Sequence, residues 1–138
     1  MCHKVNQPML PTQVKAIWMA YPDRAQLYLR KIRLRLLQLA ARLEGVGPLT
    51  ECIRWHEASY RTAATKSGLM LRLGWHPTRP AQVAIYFHCR SQMMVKLQRV
   101  YDNQIETLGN RAMVFDLNKP LPMDIIDDVL AMALTYYL

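Results

Sequence analysis

Apolar residues recur at spacings of three and four through the first third of the chain and then alternate with polar ones, which predicts helices followed by a sheet. A short helix over 12–20 places Val14, Ile17 and Trp18 on one side, with Thr12 as its N-cap and Pro22 as its interruption. A second helix over 22–44 carries Leu29, Ile32, Leu36, Leu39 and Leu43 on one stripe and ends at Gly45 and Gly47-Pro48. From Thr50 the period becomes two. Ile53 and Trp55 then face one side of a strand, and Cys52, Arg54 and His56 the other.

Three more strands follow in the same pattern: Ser59 to Ala64, Leu69 to Trp75 after the turn Lys66-Ser67-Gly68, and Gln82 to Cys89 after Pro77-Thr78-Arg79-Pro80. In the last of these Val83, Ile85 and Phe87 point inward, opposite Ala84, Tyr86 and His88, and a hairpin with the preceding strand sets Arg72 near Tyr86 and Met70 near His88. A helix over 91–101, a strand over 112–117 and a helix over 123–138 complete the reading. The fold class is therefore α+β, a mainly antiparallel sheet of about five strands packed with N-terminal and C-terminal helices. Residues 1–11 read as a loosely ordered leader and 12–138 as one domain, in keeping with a length of 138 residues.

Composition adds a basic bias. The net charge is +8, made of +12 over residues 1–100 and −4 over 101–138. Arg24, Arg30, Lys31, Arg33, Arg35 and Arg42 concentrate on the helix 22–44, which makes nucleic acid a candidate partner for that surface. The C-terminal helix is apolar nearly all round at Val129, Leu130, Ala133, Leu134 and Tyr137, so a homodimer through that helix is a second expectation. No apolar run is long enough to span a membrane, and the N-terminus lacks the pattern of a secretory signal, so the expected location is cytoplasmic. Cys2, Cys52 and Cys89, odd in number and without C-x-x-C spacing, read as free thiols.

Catalytic chemistry finds no foothold. Cys52 or Cys89 with His56 or His88 would supply a nucleophile and base. However, Cys52 and His56 are about 13 Å apart on an extended strand, and Cys89 and His88 face opposite sides. The same spacing argues against a metal site built from His56, His88, Cys52 and Glu57. The five glycines form no phosphate-binding loop, and no cofactor is implied. What remains is the non-core face of the sheet, where strand parity gathers Arg54, His56, Arg72, His76, Tyr86 and His88. Arg54, Arg72, Tyr86 and His88 are the candidate ligand-binding residues, able to hold a small anion by charge-assisted hydrogen bonds.

Glu51-Cys52-Ile53-Arg54-Trp55 after a long helix, Asn110-Arg111-Ala112 before a strand, and Pro120-Leu121-Pro122 before the last helix together resemble the YdhG-like domain of unknown function. The similarity runs in element order over roughly residues 12–138, and this chain has His56-Glu57-Ala58 where the family continues with Gly-Met-Pro. The resemblance implies a small sheet between N- and C-terminal helices, and one role proposed in that family is a frataxin-like iron chaperone. Iron carriers favour oxygen ligands, whereas here ten acidic residues stand against eighteen basic ones. The functional expectation is a non-enzymatic ligand-binding or interaction protein with an anion-accepting sheet face; iron binding and nucleic-acid binding through 22–44 are the alternatives.

Overall fold

The computed structural model describes residues 2–5, 7–88 and 91–138; Cys89, the expected end of the fourth strand, lies outside them. The elements in chain order are β1 (His3–Val5), α1 (Thr12–Met19), α2 (Asp23–Arg42), β2 (Leu49–Arg54), β3 (Glu57–Arg61), β4 (Leu71–Gly74), β5 (Gln82–Phe87), α3 (Met93–Tyr101), β6 (Glu106–Leu108), β7 (Ala112–Asp116) and α4 (Met123–Leu134). The strands form one seven-stranded sheet in the order β1-β2-β3-β4-β5-β7-β6, antiparallel throughout. The two strands beyond the expected five, β1 and β6, have three residues each, too few to register as a period.

Register explains both faces. Ile53, Ala58, Leu73, Ile85 and Met113 are successive cross-strand neighbours and belong to the core, which α2 closes with Leu29, Ile32 and Leu36 and α4 with Ile126, Val129 and Leu130. The adjacent row, Cys52, Ser59, Arg72, Tyr86 and Ala112, lies on the opposite face, as strand parity requires. Asp23 in the first turn of α2 and Arg42 in its last suit the helix dipole, and Gly45 and Gly47 take left-handed φ values of 84° and 71° to turn the chain into β2.

Much of the apolar surface of the C-terminal helix is buried within the chain. Val129, Leu130, Ala133 and Leu134 are buried, and of the five residues behind the dimer expectation only Tyr137 is exposed, at 65%. The segment 67–69 caps the end of α4: Leu69 N–H donates to the Ala133 carbonyl at 2.9 Å and Ser67 Oγ to that of Leu134 at 2.8 Å. Gly68 makes this approach possible, because a Cβ there would overlap the Ala133 carbonyl oxygen.

Two expectations about side chains are corrected. Trp55, placed in the core by alternation, is 74% exposed, because β2 ends at Arg54 and Trp55-His56 form the two-residue turn into β3. Cys2 and Cys52, read as free thiols, are joined in a disulfide. The leader supplies β1, whose pairing of His3 with Glu51 brings Cys2 opposite Cys52. Among the described residues no helix is long and apolar enough to cross a membrane.

Candidate functional site

The turn between β2 and β3 sets up the site. Trp55 and His56 have φ values of 49° and 64°, the pair of left-handed conformations that a two-residue hairpin turn demands and that Asn-Gly normally supplies. A bulky residue held there stores local strain of about 1–3 kcal/mol, a cost that concentrates at functional positions. The turn projects the Trp55 indole off the sheet and aligns Arg54 with Glu57 across the hairpin.

Arg72 fills the space beneath it. Its guanidinium lies 4.8 Å from the Trp55 ring centroid and 5.0 Å from that of Tyr86, its cross-strand neighbour, so it is held between two aromatic faces. Nη1 donates to Glu57 Oε1 at 2.7 Å. The Glu57 side chain lies across the backbone of Gly74, where a Cβ would overlap its carboxylate. Burial raises the Glu57 pKa above the ordinary carboxylate value despite the opposing charge of Arg72. Burial likewise raises the phenol pKa values of Tyr86 and Tyr21, with the Glu57 charge adding to both.

These groups wall a pocket of about 570 Å³, bounded by Tyr21 beyond α1, the Trp55-His56 turn, Trp75 and His76 beyond β4, and Arg111 before β7. Tyr21 and Trp75 pack with ring centroids 5.3 Å apart, and Trp75 Nε1 donates to the Pro80 carbonyl at 3.0 Å. A smaller cavity of about 190 Å³ lies beside the first; Trp55, Arg72, Tyr86 and Arg111 line both, and Met70 and His88 line the smaller one. Tyr86 is within electrostatic reach of three guanidinium groups, Arg79, Arg72 and Arg111, and of one carboxylate, Glu57.

Of the four residues expected to hold an anion, Arg72, Tyr86 and His88 line one cavity, while Arg54 shares their face of the sheet but lines neither cavity. Arg72 is already balanced by Glu57, so the positive charge left over belongs to Arg111 rather than Arg72. Trp55, Glu57, Tyr21, Trp75 and Arg111 were not among the expected site residues. Glu57 could have been found from the turn, since shortening β2 to Arg54 puts Glu57 directly opposite it.

The basic helix looks different in three dimensions. Arg33 is buried against Glu51, and Arg35 donates twice to Asp127 of α4, at 2.7 and 2.6 Å, leaving Arg24, Arg30, Lys31 and Arg42 exposed. Among the described residues no group of three or more His, Cys, Asp or Glu side chains is placed to hold a metal ion. Comparison with family models, curated proteins and solved structures returns no match.

Proposed function

We propose that this chain is a non-enzymatic binding protein for a small planar anion, taken up on the face of the sheet opposite the core. The observation that carries this reading is the exposed Trp55, strained in its turn and backed by Arg72, at the mouth of a pocket that also presents Tyr21, Trp75 and Tyr86. A volume of about 570 Å³ falls in the range of small-molecule sites, and aromatic walls with a few polar groups are their usual lining. The ring of the ligand stacks in this aromatic pocket, while its carboxylate or phosphate meets Arg111, whose charge no carboxylate among the described residues neutralises. The Glu57–Arg72 pair orients Arg72 and keeps the wall rigid. The YdhG-like resemblance is compatible with such a role and assigns no ligand.

A thermal-shift and tryptophan-quenching titration with adenosine monophosphate, 4-hydroxybenzoate and inorganic phosphate tests the proposal. Stabilisation with quenching by either aromatic anion, weakened at least tenfold by Arg111→Ala, supports it. No response to either aromatic anion overturns it, and a response to phosphate alone reduces the site to a charge patch. A single-stranded oligonucleotide belongs in the same panel, because exposed Trp55 beside Arg54 combines a stacking surface with a cation. Ferrous iron, the remaining alternative, has no ligand cluster among the described residues on which to act.

A further inference from the structure

We propose that Cys2 and Cys52 are a reversible thiol–disulfide site that latches the N-terminal strand over the β2 edge of the sheet and over the buried Arg33–Glu51 pair. The inference is independent of the ligand pocket and rests on three observations. The first is placement: β1 is the outermost strand, its ladder with β2 ends at His3–Glu51, and the next residue on each side is a cysteine, the two Cα atoms 4.3 Å apart. With three residues β1 has little pairing of its own, so the covalent bond decides whether it stays.

The second is access. Cys2 is exposed whereas Cys52 is 3% exposed, so a thiolate arriving from solvent attacks the Cys2 sulfur. The S–S bond breaks, and Cys52 leaves as a thiolate that takes up a proton. A second thiol then attacks the mixed disulfide on Cys2, releasing Cys2 as a thiol and the reductant as its own disulfide. Two electrons and two protons pass from the two thiols of the reductant to the cystine.

The third is what the strap covers. Arg33, 1% exposed, donates to both Glu51 oxygens at 2.8 and 3.1 Å, and two further N–H groups go to the Pro8 carbonyl at 2.9 Å and the Met9 carbonyl at 3.4 Å. His3 Nε2 approaches Glu51 at 3.4 Å from the strand itself. The Pro8 and Met9 carbonyls therefore supply acceptors to a buried guanidinium, and His3 stands against its partner. Opening the latch removes those acceptors, admits water to the pair and leaves the outer edge of β2 with unpaired N–H and C=O groups, the template on which an extended segment adds as a strand.

The test uses the full chain carrying Cys89→Ser, so that one cysteine pair remains, in oxidised form and after treatment with dithiothreitol. Peptide mapping of the oxidised form should recover the Cys2–Cys52 bridge. Hydrogen exchange should become at least tenfold faster in peptides covering 2–11 and 49–52 on reduction and recover on reoxidation, while β4 and β5 stay unchanged. Cys2→Ser should match the reduced form under both conditions. Two free thiols in the oxidised protein, or equal exchange at β1 in the two states, would overturn the latch. Should Cys89→Ser fail to fold, the same mapping and exchange on the unmodified chain decide the question.

Discussion

Arg72 and Tyr86 are cross-strand neighbours whose side chains meet, guanidinium over phenol ring at 5.0 Å, and every feature of the pocket is arranged around that contact. Trp55 covers the other side of the guanidinium, and Glu57 fixes its edge. The site is thus a stack in which charge is neutralised internally and aromatic surface is turned outward.

Glu57 makes this stack sensitive to pH. Its pKa is raised in the folded chain, so the native state holds the proton more tightly than the unfolded state does. The stabilisation is fully present below the ordinary carboxylate value and is lost as pH rises through the raised one. Urea unfolding of wild type and Glu57→Gln at stepped pH should give a stability difference that declines with rising pH over that window. A flat difference would contradict it.

The turn trades stability for exposure of the indole. Trp55→Ala should cost only about 0.5–1 kcal/mol, the worth of an exposed cation–π contact with Arg72, rather than the several kcal/mol of a buried indole. His56→Gly, which suits a φ of 64°, should stabilise, because relief of about 1–3 kcal/mol of left-handed strain outweighs the roughly 0.4–1 kcal/mol of entropy that a glycine adds to the unfolded chain. Thermal denaturation of both variants checks the pair, and a loss of several kcal/mol at Trp55 would return it to the core.

Arg33 and Glu51 are both buried, so removing one partner strands the other. Glu51→Gln should cost about 3–5 kcal/mol, and Arg33→Met combined with Glu51→Leu should cost less than the sum of the single changes. A double-mutant cycle by chemical denaturation measures the coupling. The Tyr60 hydroxyl sits beside this pair without a hydrogen bond of ordinary geometry, and burial, reinforced by the Glu51 charge, raises its pKa well above the usual phenol value.

Gly68 is required by close approach rather than by its dihedral angles. Gly68→Ala should destabilise by about 1–3 kcal/mol through the clash with the end of α4, measured by the shift in urea midpoint.

The helices and central hairpin were legible in the sequence because each carries enough residues to display its period: Leu29, Ile32 and Leu36 on α2, and Val83, Ile85 and Phe87 on β5. The contact of Arg72 with Tyr86 followed from parity and pairing alone. Trp55 was misplaced because a Trp-His turn contains neither Asn nor Gly, so alternation reads straight through it and assigns the indole to the wrong side. The cysteine pair was hidden by a separation of 50 residues and by a strand too short to see. Arg111 and Tyr21 joined the site through packing between distant segments, which no local pattern encodes.

The three indole N–H signals give the most direct test of the binding site, because Trp18 is fully buried in the core while Trp55 and Trp75 line the pocket. In a ¹H–¹⁵N titration with adenosine monophosphate and with 4-hydroxybenzoate, at least one should move the Trp55 and Trp75 signals saturably and leave Trp18 in place. Signals that stay fixed with both anions, or that move no differently in Arg111→Ala, would contradict a planar-anion site on this face.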